Sequence, residues 1–294
     1  MVEAGGTKFV CAIGDDRGSI LVQARFPTTD PASTLAAVRS FFRSRSEEFG
    51  PLAAIGVGSF GPVELDKSSP HYGCLGCTPK LGWSNTDIAG VFAHDFHCPI
   101  GLDTDVNAAA LAERRWGAAQ DVANLVYVTI GTGIGGGAIA NGAPIHGLLH
   151  PEIGHMYPRR HPLDGTFDGV CPFHGDCLEG LASGPAILAR TGSLLQGLDP
   201  SHAQWDIEAD YLGQLCAQLV VTLSPQRIIM GGGVMSQTHL LPPIRRRLRH
   251  WLGGYIQRSE ILTDSDCYVV APALGAQAGI LGALALAIDA ALAA

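Results

Sequence analysis

The chain has 294 residues, 47% of them hydrophobic, with a formal net charge of −8 and eight cysteines. That length suits two domains of ordinary size with sizeable cores, and an acidic balance with no run of Lys or Arg excludes a nucleic-acid surface. The start shows no charged-then-apolar leader, so the expectation is a reducing cytoplasm with metal-bound or buried thiols, not a secreted disulfide framework.

From the N-terminus, Glu3-Ala-Gly-Gly-Thr-Lys8, then F-V-C-A-I-G and Asp15-Asp16-Arg17-Gly18, read as strand, glycine hairpin, strand, polar turn and strand. Adjacent glycines let backbone N–H groups approach phosphate oxygens, which makes Gly5, Gly6, Thr7 and Lys8 a candidate phosphate cradle. The spacing is not that of a Walker A loop, and a Gly-Gly pair is also an ordinary hairpin turn. Residues 34–49 follow a helical pattern, and 52–60 form an apolar strand ending at Gly61-Pro62. Cys74 and Cys77 make a C-x-x-C with no second ligand pair nearby, so their role stays open. A short helix is expected after Trp83-Ser84-Asn85, a strand at 99–103 and an Ala-rich helix at 108–116. Asp103 and Asp105 are two apart and share a face if the strand continues, so spacing alone does not choose between them as a base. Position at the strand's end favours Asp105, because strand C-terminal ends line the ligand crevice in open α/β folds.

The second half opens with a β-branched and aromatic strand at 125–130 that runs into Gly131-Thr132-Gly133-Ile134-Gly135-Gly136-Gly137, a second phosphate-type turn. Glu152 and His155, three apart, share a face if they lie on one helical turn. Downstream, Cys171, His174 and Cys177 stand three apart, with Pro172 and Gly175 supplying the turns. With His155 they form the Cys2His2 set of a closed, structural Zn2+ site. His161 is an alternative fourth donor, although its neighbours Arg159 and Arg160 place it toward solvent. An ion held by His155 and Cys177 would also fix Glu152 and Glu179, giving a rigid polar pocket for a hydroxyl-rich ligand. Helices are expected at 184–195 and 206–223, and a strand at 227–230 that meets Gly231-Gly232-Gly233 before a helix. A last strand at 267–270 precedes the uncharged run 271–288, read as a buried helix and not as a membrane span because Pro272, Gln277 and the lack of Lys or Arg anchors argue against spanning. Cys11, Cys98, Cys216 and Cys267 are assigned to the core by their apolar neighbours. One nucleotide gripped by two lobes explains three glycine-rich strand ends more simply than three unrelated turns.

Taken together, these segments resemble the ROK family (repressors, uncharacterised reading frames and kinases) over nearly the whole chain, and within it the bacterial zinc-containing fructokinases. E-A-G-G-T-K-F-V-C-A and I-G-T-G-I-G-G-G resemble the two phosphate motifs, I-I-M-G-G-G-V the adenosine motif, and T-P-K-L-G-W at 78–83 a fructokinase pattern. G-V-C-P-F-H-G-D-C-L-E-G-L-A-S-G-P-A is the most specific match.

The resemblance implies an α/β fold of the actin-like ATPase (ribonuclease H-like) class with two lobes around a cleft. The small lobe would span 1–107, completed by a C-terminal helix at 274–294, and the large lobe 108–273, carrying the zinc segment 152–179. It implies an ATP-dependent hexose kinase, fructokinase first, with glucose, mannose or N-acetylhexosamine kinases as alternatives, or a catalytically inactive sugar-binding protein. Asp105 would be the catalytic base, and Gly61, Thr78, Asp105, Glu152, His155 and Glu179 the sugar contacts. Nucleotide would be held by Gly5, Gly6, Thr7, Lys8, Thr132, Gly133, Gly231, Gly232 and Gly233, with Mg2+ oriented through water by Glu3. Zinc would sit on His155, Cys171, His174 and Cys177. The expected partners are the hexose and ATP, with no nucleic acid and no membrane, in a cytoplasmic homodimer. Two departures stand out. Only Met1 and Val2 precede the first motif, where relatives carry several apolar residues, so either the start lies upstream or the first strand is truncated. The Cys74/Cys77 pair is uncommon among relatives. The repressor branch carries a DNA-binding helix-turn-helix ahead of the first motif, so a repressor is not expected.

Overall fold

The structure is a computed structural model that describes residues 1–294, the side chain of Gln196 excepted. The chain divides into two compact units, Met1–Gln120 with Pro144–His150 and Ala276–Ala294, and Asp121–Ala143 with Pro151–Gly275.

The first unit is built on β1 (Val2–Ala4), β2 (Lys8–Gly14), β3 (Ile20–Pro27), β4 (Ile55–Ser59) and β5 (Ile100–Thr104), in the sheet order β3-β2-β1-β4-β5. The first three strands are antiparallel, while β1, β4 and β5 run parallel. Short as it is, β1 pairs along its whole length with β2 on one side and β4 on the other. Every residue of β4 is buried, as a strand covered on both faces requires, whereas β3 alternates half-buried and exposed positions at the sheet edge. The helices are α1 (Pro31–Phe49), α2 (Gly90–Phe96), α3 (Asp105–Trp116) and α10 (Ala278–Ala293). Asp30 caps α1, accepting from Ser33 N at 2.9 Å. Phe42 on α1 packs edge-on against Phe92 and Phe96 of α2, with ring centroids 6.2 and 5.8 Å apart.

The uncharged run expected as a buried helix is α10, which packs on α3, β4 and β5. With the 3-10 turn before it, the helical stretch Gly275–Ala293 is long and apolar enough to cross a membrane, and half of it is buried within the fold. Glycines permit the close approach. A Cβ at Gly56 would lie 1.7 Å from Ala283 O, and one at Gly282 would lie 2.2 Å from the carbonyl of Ala108. Glycine to alanine inside a helix ordinarily stabilises by about 1 kcal/mol. At Gly282 the added methyl meets backbone, so Gly282→Ala is expected to destabilise by about 1–3 kcal/mol. Urea unfolding checks the sign: a lowered midpoint supports the packing, and a raised one refutes it.

This packing also moves the expected domain boundary. A division at 107/108 would cut α3 in its first turn, but α3 belongs with α10 and the first unit continues to Gln120. The chain then leaves for the second unit, returns to the first over Pro144–His150, and leaves again.

The second sheet contains β6 (Leu125–Ile130), β7 (Ile134–Ala140), β8 (Ala143–Pro144), β9 (Arg227–Gly231) and β10 (Val269–Val270), in the order β10-β9-β6-β7-β8. β6 and β7 form a hairpin, and β9 lies parallel to β6 and β10. The helices are α4 (Leu178–Ala182), α5 (Gly184–Thr191), α6 (Gln204–Leu223), α7 (Leu241–Leu252), α8 (Ser259–Leu262) and α9 (Ser265–Tyr268). α5 is shorter than expected because Gly192 ends it at φ +70°, with its N–H on Leu188 O. The strand expected at 267–270 is halved, since 265–268 coil into α9. That turn buries Ser265 and Tyr268 and leaves Cys267 exposed, so Cys267 is not a core thiol. Cys11 and Cys216 are buried, and Cys98 is half-buried.

Candidate functional site

Each unit carries its own set of candidate residues. In the first, β1 and β2 are joined by Gly5-Gly6-Thr7. The turn is closed by Gly5 N donating to Lys8 O at 3.1 Å, and it is tied to the end of β3 by Thr28 Oγ1 donating to Gly5 O at 2.7 Å. A Cβ at Gly5 would lie 2.8 Å from Lys8 O, while one at Gly6 meets nothing within 4 Å. Gly6, Thr7 and Lys8 are exposed, so this tip offers N–H groups, a hydroxyl and an ammonium to an anion. Glu3 points its carboxylate at the first turn of α10, where a Cβ on Gly279 would lie 2.5 Å from Glu3 Cδ. Burial raises the Glu3 carboxyl above its ordinary value, against the pull of Lys8 and Arg25.

At the end of β5 the two aspartates separate. The strand does not continue: Thr104 caps α3 by accepting from Asn107 N at 3.1 Å, and Asp105 becomes the first helical residue. Asp103 is 2% exposed and both its oxygens are engaged. Oδ1 accepts from Thr104 N and Asn107 Nδ2, each at 2.7 Å, and Oδ2 lies 3.0 Å from His146 Nε2. Asp105 is half-buried, and its Oδ1 accepts from Val106 N at 2.9 Å. Burial and bonding thus leave Asp103 to organise the turn, while Asp105 is the less buried of the two. Sequence reasoning missed His146, because nothing in the local pattern ties it to a residue 43 positions earlier.

Gly61 precedes a cis bond to Pro62, and a Cβ on it would lie 3.2 Å from the ring of His150. The same imidazole accepts from Val63 N at 3.2 Å. Thr78 is buried at 9%, with its N–H on Ser84 Oγ at 3.3 Å. Between these, Cys74 to Gly76 is extended and bridges two partners: Leu75 N donates to Thr86 O, and Gly76 N to Pro62 O. Cys74 is half-buried on this bridge and Cys77 exposed in the bend that follows, and both thiols are free.

In the second unit the two remaining glycine turns come together because β6 and β9 are parallel neighbours ending at one edge. A Cβ on Gly131 would lie 3.9 Å from Gly233 N. Gly232 has φ +91°, and any side chain there would strike Ile130, with a Cβ 2.3 Å from its carbonyl oxygen. Thr132, Gly232 and Gly233 are exposed at this rim. The helix expected directly after Gly231–Gly233 is absent; short 3-10 turns intervene and α7 starts at Leu241, with prolines in its first turn.

Glu179 lies in the first turn of α4, and its Oε2 accepts from Ile134 N at 2.9 Å, beside the Thr132-Gly133 turn. Glu152 is exposed by area, yet partial desolvation and the nearby Glu179 charge raise its carboxyl above the ordinary value. His155 ends the 3-10 turn Ile153–His155, and its N–H donates to Glu152 O at 3.0 Å.

His155, Cys171, His174 and Cys177 form one cluster, every donor atom within 4.8 Å of the others. His155 Nδ1 lies 3.4 Å from Cys177 Sγ and 3.9 Å from Cys171 Sγ, and His174 Nδ1 lies 3.7 Å from Cys171 Sγ. Bond lengths of about 2.3 Å to sulfur and 2.0–2.1 Å to nitrogen in a zinc tetrahedron separate sulfur from nitrogen by about 3.6 Å. The set therefore fits Zn2+ in donor type and in spacing. Cys171 and Gly175 exchange backbone hydrogen bonds of 3.2 and 2.9 Å, which closes the knuckle. Gly180 lets α4 lie against it, since a Cβ there would be 1.8 Å from Gly175 O. Burial, with Cys171 alongside, pushes the Cys177 thiol up to about 11, and a cation among the donors would reverse that.

His161 is not in the cluster and does not face solvent. It is 7% exposed, its N–H lies 3.2 Å from Tyr211 Oη, and its Nδ1 accepts from Leu163 N. Arg160 turns inward to Asp164 O and Phe167 O, taking the segment with it. The same segment is anchored by Asp164, buried between Arg190 at 2.8 Å and Tyr211 Oη at 2.6 Å.

Comparison with known proteins gives a consistent result. The sequence profile of the ROK family matches residues 1–290. A putative fructokinase of Bacillus subtilis is 46% identical over 286 residues, covering 97% of this chain and 94% of that protein. The fructokinase of Zymomonas mobilis is 44% identical over 292 residues, covering 98% and 96%. The ROK hexokinase of Thermus thermophilus superposes with a TM-score of 0.80 at 26% identity, covering 100% and 98% of the two chains. The two-sheet α/β architecture is thus that of the ROK sugar kinases, an actin-like ATPase fold, and the chain belongs to the ROK family.

Proposed function

We propose that this chain is an ATP-dependent hexose kinase that phosphorylates fructose at its 6-position. The observation that carries the reading is 46% identity along nearly the whole chain to a protein named a putative fructokinase. The Cys2His2 cluster flanked by Glu152 and Glu179 supports it as a frame for hydroxyl recognition. In this reading Gly61, Thr78, Asp105, Glu152, His155 and Glu179 contact the sugar. Asp105 takes the proton of the attacking hydroxyl. The new bond joins that oxygen to the γ-phosphorus, the bond from phosphorus to the bridging oxygen breaks, and ADP leaves with the electron pair. Gly5, Gly6, Thr7 and Lys8, with Thr132, Gly133 and Gly231–Gly233, hold the nucleotide through N–H groups and the ammonium. Mg2+ bound with ATP would supply charge neutralisation on the phosphates, and Glu3 would be the carboxylate that orients it. Zn2+ on His155, Cys171, His174 and Cys177 is structural, all four donors being protein side chains. The protein works as a homodimer in the cytoplasm, which sizing with light scattering and cell fractionation address.

A coupled ADP-release assay over fructose, glucose, mannose and N-acetylhexosamines tests the activity. Fructose is expected to give a kcat/KM at least about 10-fold above the others, a margin that one well-placed hydrogen bond supplies. Preference for another hexose would replace the substrate assignment. No ADP release with any of them would leave a sugar-binding protein.

A further inference from the structure

The return of Pro144–His150 to the first unit is made by two histidines. His150 holds Val63 N at the Gly61 corner, and His146 holds Asp103. The second contact matters for chemistry. Asp103 lies at the end of β5, buried, and the only residues between it and the middle of the first α3 turn are Thr104, Asp105 and Val106. Its Oδ1 fixes Thr104 N and the Asn107 amide, so both ends of the segment containing Asp105 are tied to one carboxylate. A carboxylate that is 2% exposed is costly unless its charge is matched and its lone pairs are filled. His146 fills Oδ2 at 3.0 Å, and Asn107 Nδ2 is within 3.5 Å of the same ring nitrogen. The ionisable groups described against Asp103 include His146 on the returning segment and Tyr72 on the loop after β4, and Asp105 follows two residues later on α3. Burial, with the Asp103 charge, raises the Tyr72 phenol. β4 presents only Gly58 opposite Asp103.

We propose that His146 is a positioning residue for phosphoryl transfer: through Asp103 it holds the first turn of α3 and so sets the placement and charge environment of Asp105. This rests on the reading of Asp105 as the base. The imidazole is held protonated to higher pH than usual by its hydrogen bond to Asp103. As a cation it offsets the Asp103 charge two residues from Asp105. Removing it leaves that negative charge uncompensated, which disfavours the Asp105 anion and raises its pKa. The acid limb of the kcat/KM profile then moves to higher pH.

The test measures kcat, KM for fructose, KM for ATP, the pH profile and thermal unfolding for His146→Ala, His146→Gln and Asp105→Asn in the full chain. His146→Ala is expected to lower kcat about 10- to 100-fold, the scale of a misplaced catalytic group, with KM for ATP unchanged. Its acid limb should rise by about one pH unit. His146→Gln keeps a donor without the charge, so it should recover most of kcat while leaving the limb displaced. An unmoved limb in both variants, or a kcat loss that only follows lost thermal stability, overturns the proposal. Normal turnover in Asp105→Asn would sink the base assignment itself. That result is distinct from a silent His146→Ala in an enzyme that Asp105→Asn kills, which would sink the positioning role alone.

Discussion

Asp105→Asn is expected to lower kcat by roughly 10²–10⁴-fold, the range that general-base removal commonly produces, while fructose affinity changes far less. The amide keeps the shape and can still accept from Val106 N, as the carboxylate does at 2.9 Å. What it loses is a basic site for the hydroxyl proton. That loss belongs to the transition state and not to ground-state binding, so it should appear in kcat and kcat/KM together. Asp103→Asn should behave differently. Its oxygens accept from Thr104 N, Asn107 Nδ2 and His146, so an amide there either turns an N–H toward one of these donors or requires the His146 nitrogen to give up its proton and accept. An unsatisfied or opposed buried group costs about 1–3 kcal/mol, and the first readout should be a lower melting temperature. Coupled-assay kinetics and thermal unfolding on both variants separate the roles. Near-normal turnover in Asp105→Asn with an inactive Asp103→Asn would reverse them.

The ease with which parts of this site could be read from sequence follows the range of the interactions that build them. Cys171, His174 and Cys177 belong to one knuckle closed by Cys171 and Gly175, so their spacing alone places them together. The glycine turns were legible for the same reason, each sitting at the end of its own strand. That Gly131 and Gly233 lie side by side is a consequence of the parallel β6–β9 pairing, which no local pattern encodes. His161 misled because an Arg-Arg-His run reads as solvated, whereas Arg160 spends its guanidinium on backbone carbonyls and carries the chain inward. Cys267 misled in the opposite sense: its apolar neighbours read as a strand, but a helical turn rotates it outward. The compact unit runs on past 107 to Gln120 because α3 packs on a helix at the far end of the chain. The close contact of Gly282 with Ala108 is visible only once both are placed. His146 and Asp103 are of the same kind, a pair made by topology.

Removal of the metal is expected to have the second large effect. Elemental analysis of the purified protein should find about one Zn2+ per chain, as a single four-ligand site requires. Cys171→Ser or Cys177→Ser should bring that near zero, since a neutral hydroxyl is a poor substitute for thiolate. Stability and sugar affinity should fall with it. Two buried thiols and two imidazoles gathered within 4.8 Å have little reason to stay packed without an ion. The backbone around them depends on the knuckle, because Val170 N donates to Gly180 O at 3.0 Å and Leu178 N to Met156 O at 2.8 Å. Those bonds set the start of α4, and α4 sets Glu179, whose carboxylate reaches Ile134 N. Loosening the knuckle therefore displaces a proposed sugar contact and the phosphate-type turn beside it. Chelation of the wild-type protein should reproduce the cysteine variants, and added Zn2+ should restore the wild type but not the variants. Fructose binding by calorimetry, with thermal unfolding on the same samples, reads both consequences. Metal-free protein that melts at the same temperature and binds fructose equally well would show that the cluster does not organise the pocket.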